Sequence, residues 1–386
     1  MLKFEKRLIE FIHENYLLIG FICATIMGLF TRLCMVPFES RDYLDYLSKW
    51  FEYLKLHGGL LALGSYPGDY NAPYMTIMAL LTYIPIKKIY LIKMVSVLFD
   101  FGLATASCML VRYLVPKDKK NIYGFITYAV VLFLPEVVIN SAIWGQCDSG
   151  YTLFIILALL YLLKEKYTKS FIFLGLAFSL KLQFIFILPL FIVMYVLKKK
   201  FSILNFLIIP LVNFILCIPA MIFGKPFKEI FLVYFKQVYN FGGVSRNFLN
   251  LYALISDDAR ILVYYGMFLT IFVCLFMLIY LIHKKVELTD KQILNLGLWF
   301  LVIVTFLLPS MHERYLFAGS ILSVIYYITY KENFVLMIGI ILCAIITYFG
   351  FLFGIYGGLT SIVVICYTVV VIYYTRDVFK MLNVGK

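Results

Sequence analysis

Trp144-Gly145-Gln146-Cys147-Asp148-Ser149 is a compact polar hexapeptide between two apolar stretches of a 386-residue chain that is 63% hydrophobic. Two other polar clusters stand far from it in sequence, Arg41-Asp42-Tyr43-Leu44-Asp45 and His312-Glu313-Arg314. Polar and ionisable groups at membrane depth are costly and concentrate where a protein functions. The hexapeptide reads either as a tight turn between membrane helices or as a recognition site, since Trp144, Gln146 and Asp148 combine an aromatic face with amide and carboxylate groups suited to a sugar. Asp42 and Asp45 stand three apart, on one side of a helix, where Arg41 and Lys49 offset part of their charge. A carboxylate at the water–membrane boundary suits the deprotonation of a hydroxyl. The plainer alternative for both acids is a solvated interfacial charge.

The basic candidates suit a phosphate. Ser179-Leu180-Lys181-Leu182-Gln183 lies in the middle of an apolar run, and Lys181 offers a point charge there with Gln183 as an adjacent amide. The opposing reading is one long helix with a snorkelling lysine. Arg32, near the outer end of the first span, divides between the same two readings, and Asp100 is expected to partner a buried cation. His312 is placed to handle protons near neutral pH or to donate to phosphate, and Arg314 can grip phosphate with two parallel hydrogen bonds. The stretch Phe241-Gly242-Gly243-Val244-Ser245-Arg246-Asn247 pairs a glycine turn with a cation, suited to acceptor contact. His312 with Asp148 is half of a metal set, but no HExxH or acidic DxD element accompanies it, so no metal is expected.

The elements that must position these residues are membrane helices. Mean hydropathy is +0.95, charged residues make up only 14%, and several apolar runs approach the roughly 20 residues that span a bilayer. This excludes an ordinary soluble domain, and the continuous runs exclude a membrane barrel. The fold class is all-α, a polytopic transmembrane helix bundle of about 11–13 membrane segments counting short half-helices. The net charge of +13 sits mostly in short loops such as 117–120, 164–169, 198–200 and 283–285, which face the cytoplasm by the positive-inside rule; no nucleic acid is implied. Seven of the eight cysteines lie in apolar runs without CxxC spacing and read as packing residues.

Counting spans from a cytoplasmic N-terminus, the first, near 16–36, runs outward and is read as an anchor that is not cleaved. An amphipathic helix follows at the outer surface, with Tyr43, Leu47, Trp50, Phe51 and Leu54 on one face and Gly58-Gly59 as its stop. The run 73–86 is interfacial or re-entrant, 90–114 and 121–138 cross as single spans, and 170–197 divides into two half-spans meeting at Lys181. One integral membrane domain, 1–386, results: a first external loop at 37–89, a membrane core with a cavity at 90–223, an external loop at 224–258, and C-terminal membrane helices at 259–386. This parity brings all three polar clusters to the outer face and makes Cys147 reachable from outside.

Taken in order, Arg41-Asp42, Tyr66 to Tyr74 with Asp69-Tyr70-Asn71-Ala72-Pro73, the hexapeptide, Ser179 to Gln183, and His312-Glu313-Arg314-Tyr315 resemble the GT-C glycosyltransferases. The chain looks most like prokaryotic relatives of the GPI second-mannose mannosyltransferase. It is more distantly similar to the endoplasmic-reticulum dolichyl-phosphate-glucose glucosyltransferases. The resemblance spans about 32–315. It implies transfer of a hexose, of mannose or glucose type, from a polyprenyl-phosphate donor to a lipid-linked glycan or cell-wall polymer on the extracytoplasmic face. Asp42 would be the general base, in an inverting displacement without metal or other cofactor. Lys181, Gln183, His312 and Arg314, with Arg32, would hold the donor phosphate; Trp144, Gln146, Asp148, Asp45, Asn71, Glu313 and Arg246 would contact sugar or acceptor. The competing class is a transporter or flippase of a lipid-linked sugar, for which broken helices in corresponding halves would be expected.

Overall fold

The computed structural model describes residues 1–239, 243–255, 261–354 and 360–383. Its helices are α1 (Lys3–Met35), α2 (Ser48–Leu56), α3 (Ala72–Leu81), α4 (Lys88–Leu114), α5 (Lys120–Phe133), α6 (Pro135–Val138), α7 (Asp148–Leu163) and α8 (Tyr167–Leu180). They continue as α9 (Leu188–Lys198), α10 (Ile208–Ile222), α11 (Phe227–Tyr239), α12 (Ile261–Lys284), α13 (Asp290–Leu307), α14 (Phe317–Tyr330), α15 (Phe334–Phe353) and α16 (Thr360–Asn383). Among the described residues 7 helical stretches are long and apolar enough to cross a membrane, or up to 8 with one bent pair, and shorter apolar helices accompany them. The protein is an all-α, multi-pass integral membrane protein.

Where its helices stop and bend follows local chemistry. α1 begins at Lys3, well before the expected 16, because Glu5, Lys6, Arg7 and Glu10 are good helix formers outside the apolar stretch. The expected span 121–138 is instead α5 followed by Pro135–Trp144, bent by 49°. Pro135 has no backbone N–H to continue the ladder, and it forces Leu134 into an extended conformation (ψ 124°). The bent part ends in a wider π-type turn, Ile139–Trp144, which Gly145 terminates at φ 83°. The interfacial stretch has the expected face: Tyr43, Leu47, Trp50, Phe51 and Leu54 are all buried, on a π-type turn at Tyr43–Leu47 and on α2. Gly58 and Gly59 stop it at positive φ.

The run through Lys181 is broken as expected. α8 ends at Leu180, Lys181 is extended (φ −150°, ψ 142°), and a 3₁₀ turn, Leu182–Ile187, leads into α9. α10, α8, α7, α4 and α5 pack in successive contact, while α13 and α14 fill the middle of the bundle. The large apolar side chains Phe30, Phe268 and Phe272 point outward from α1 and α12, as expected of a lipid-facing surface. Between helices in lipid, close packing rather than water exclusion drives association. At the α8–α10 crossing a Cβ on Gly175 would lie 2.6 Å from Val212, so only glycine permits that approach. Residues 37–89 are not a loose connection: they form their own apolar cluster with Ile92 of α4 and Cys217 and Ala220 of α10.

Candidate active site

The three polar clusters meet at one cavity of about 700 Å³, within the range of roughly 300–1,000 Å³ common for small-molecule sites. Asp42, Gln146, Lys181, His312 and Arg314 all line it. Backbone breaks supply these positions. Asp42 is the residue before the π-type turn at Tyr43–Leu47, Gln146 follows the left-handed Gly145, Lys181 is the extended residue between half-helices, and His312–Arg314 follow α13.

Asp42 is held through one oxygen. Trp144 Nε1 and Gln146 Nε2 each donate to its Oδ2 at 2.8 Å. Among the described residues no donor reaches Oδ1, which leaves that oxygen free to accept. The Gln146 amide is fixed in turn, because its Oε1 accepts from the Tyr70 hydroxyl at 2.6 Å and more weakly from Lys181 Nζ at 3.4 Å. A lysine can only donate, so the amide oxygen must face it and the amide NH₂ must face Asp42. Burial pushes the Tyr70 hydroxyl well above its ordinary pKa. Tyr70 therefore stays protonated and able to donate.

Asp148 lies behind the cavity wall, fully buried, and holds two cations that face inward. Its Oδ1 accepts from Lys181 Nζ at 2.8 Å, and its Oδ2 lies 3.6 Å from Arg314 Nε. Asn140 closes the shell, donating to Asp148 Oδ2 at 2.8 Å. Arg314 also donates to Glu313 Oε1 at 2.6 Å. Burial drives the Glu313 carboxyl up, but His312 and Arg314 beside it outweigh that and hold it below the usual carboxylate range. Burial opposes the charge on Arg314, yet Glu313 and Asp148 together keep its guanidinium well above its ordinary value. His312 contacts the segment carrying Arg246 and Asn247 through isolated backbone bridges, and Arg246 joins the cavity lining with Gln183.

Several expected contacts fall elsewhere. Arg32 is buried away from the cavity, with Nε on Asp100 at 2.7 Å and its other nitrogens on the carbonyls of Gly28 and Leu132. Asp100 is thus the partner of a buried cation, and that cation has no hydrogen-bonding capacity aimed at a phosphate. Asp45 is exposed, pairs with Lys49 at 3.7 Å and does not line the cavity. Trp144 is fully buried, stacked at 5.0 Å on Phe351, edge-on to Tyr348 and with the Arg314 guanidinium 5.6 Å from its ring centre, so its ring is taken up by protein groups and its N–H reaches Asp42. Asn71 lines the cavity but caps α3 and donates to Ser179 O, Asn213 Oδ1 and Tyr234 OH, which ties α3, α8, α10 and α11 together. Cys147 is only 1% exposed, because it packs into the cluster of residues 37–89, and is closed to a labelling reagent. Phe241 and Gly242 lie outside the described residues, as does Asp258 of the expected external loop.

The site residues that carry no signal of their own in the sequence analysis are Tyr70 and Asn140, which orient Gln146 and Asp148, and Trp50 and Tyr46, which add an aromatic wall. Tyr70 stands inside the quoted Asp69-Tyr70-Asn71 motif; Asn140 is within an apolar run and carries no spacing signal. Among the described residues, no group of three His, Cys, Asp or Glu side chains converges as a metal site. No protein-family model matches the chain, and no curated protein matches it. Fold and cavity define a multi-pass helical membrane protein with a charge-lined cavity.

Proposed function

We propose that the protein is a membrane glycosyltransferase of GT-C type, moving a hexose from a polyprenyl-phosphate donor to an acceptor glycan or glycolipid on the extracytoplasmic face. One observation carries this reading. A carboxylate with one oxygen tied down and the other without a donor shares a cavity with Lys181, Arg246, His312 and Arg314. That is the pairing a displacement at an anomeric carbon requires, a base for the incoming hydroxyl and cations for the departing phosphate. In this mechanism Asp42 Oδ1 takes the proton as the acceptor oxygen bonds to the anomeric carbon. The carbon–oxygen bond to phosphate breaks with its electron pair on the phosphate, and configuration inverts. Lys181 and Arg314, steadied by Asp148, stabilise the leaving phosphate, with Gln183 and His312 as further donors. No step is assigned to a metal. The lysine-rich loops support a cytoplasmic side opposite the cavity.

The test is incubation of the purified protein with a panel of polyprenyl-phosphate hexoses and lipid-linked acceptors, beside Asp42→Asn. We expect the variant to lose about 10²- to 10⁴-fold in transfer, the range for a general base, while still binding donor. Full transfer by Asp42→Asn would remove the base assignment, and no transfer from any donor by the unaltered protein would remove the reading itself.

A further inference from the structure

Lys93 lies in the interior of α4, belongs to none of the polar clusters, and is fully buried. Among the described residues no carboxylate lies within ion-pair distance of it. Its ammonium donates instead to three backbone carbonyls: Phe38, just beyond α1, and Ala142 and Ile143, both at 2.9 Å, in the last turn before Gly145. Carbonyls at a helix end lack intrahelical partners and carry the negative end of the helix dipole, and a lysine has three protons to give them. An ionisable group in the membrane that serves no ion pair calls for another explanation.

The explanation is in what the two anchored segments carry. Phe38 lies four residues before Asp42, and Ala142 and Ile143 immediately precede Trp144. Beyond Lys93 the two segments are joined by side-chain hydrogen bonds. Ser40 Oγ donates to Trp144 O at 2.8 Å, and Trp144 Nε1 and Gln146 Nε2 then reach Asp42 Oδ2. Position 38 is thus linked to 142–143 through Lys93, 40 to 144 through the Ser40 hydroxyl, and 42 to 144 and 146 through their side chains. Gly145 turns the chain between Trp144 and Gln146 at φ 83°, a conformation that favours glycine.

We infer that Lys93 is a positioning residue, an intramembrane cation that sets the register between the segment bearing the Asp42 carboxylate and the segment bearing its two donors. The catalytic meaning rests on the function proposed above; the register itself does not. Without the ammonium, the three carbonyls lose their shared partner and the two backbones separate. Trp144 and Gln146 then no longer share Oδ2.

The experiment is Lys93→Met, close in length and without charge, followed by difference infrared spectroscopy of the Asp42 carboxylate, its bands assigned by subtraction of Asp42→Asn. We expect the carboxylate stretching bands to move as Oδ2 loses its donors, and, in the transfer assay, kcat to fall tenfold or more with donor affinity within twofold of the parent. If Lys93→Met does not fold, Ser40→Ala removes the next hydrogen bond between the same two segments and is expected to move the same bands by less. The ionisable groups around Asp42, from Glu39 and Arg41 on its own stretch to Lys181, Glu313 and Arg314 across the cavity, are unchanged in both variants. Carboxylate bands that stay in place in the folded variants would overturn the inference. The infrared reading needs no turnover, so an inactive parent protein would count against the glycosyltransferase and leave the register test intact.

Discussion

Replacing Asp148 with asparagine would leave the Lys181 ammonium and the Arg314 guanidinium facing one cavity without the carboxylate they share. Breaking a buried ion pair from one side strands the other charge, at a cost of about 3–5 kcal/mol. We expect Asp148→Asn to lower stability by an amount of that order in detergent unfolding. Lys181→Ala should act differently, since Asp148 keeps Arg314 and Asn140. It removes a charged donor, worth about 1.5–3 kcal/mol, and should weaken binding of a prenyl phosphate by 10- to 100-fold in titration calorimetry. Glu313 gives a pH dependence. Its folded-state pKa lies below the usual carboxylate range, so its contribution to stability is complete above the unfolded value of about 4.3 and is lost as pH falls through the lower folded value. In Glu313→Gln the acid side of the stability profile should therefore be flatter, measured by thermal unfolding between pH 6 and 3 on the order of those values.

At the scale of the element, the site depends on places where helices are interrupted. Gly145 at φ 83° ends the turn carrying Trp144 and leads into the short irregular stretch carrying Gln146. Alanine there would adopt a left-handed conformation costing about 1–2 kcal/mol, and we expect Gly145→Ala to lose that much stability in detergent unfolding and to reduce transfer. The breaks visible in the sequence were those with a polar residue or a glycine pair in an apolar run, at Lys181 and at Gly58-Gly59. The bend at Pro135 was written in the sequence too, but span counting absorbed it into one crossing, because length alone does not distinguish a straight helix from a bent one. Contacts to backbone were illegible. Lys93 looks like any charge in a membrane helix, since carbonyls of Phe38, Ala142 and Ile143 leave no trace in side-chain types. Arg32 was read toward phosphate because its partner, Asp100, lies 68 residues away. Trp144 reads from the sequence as an open aromatic face, whereas its ring is packed against Phe351, Tyr348 and Arg314 and its N–H holds Asp42.

Across the whole molecule, the three clusters expected to share one membrane face line one cavity, and the face it opens to rests on the lysine-rich loops. The sidedness can be measured directly. With the native cysteines replaced, single cysteines at the exposed positions Ser65 and Lys117 should react with a membrane-impermeant maleimide from opposite faces: Ser65 in intact cells and Lys117 only after lysis. Reaction of both from one side would redraw the bundle.

The sharing of the Asp42 Oδ2 by Trp144 and Gln146 also sets an order of events in biosynthesis. Those partners follow the carboxylate by 102 and 104 residues, and chains are made N-terminus first at roughly 5–20 residues per second. The carboxylate is thus synthesised several seconds before its donors, and the Arg314 wall arrives later still. A ribosome stalled between residues 181 and 314 holds a chain with the Asp42 carboxylate and the Lys181 ammonium but without the guanidinium that completes their cavity. Completion of the pocket is therefore a late readout of membrane insertion, and a chain truncated ahead of α14 would expose its polar residues to whatever machinery surveys unfinished membrane proteins.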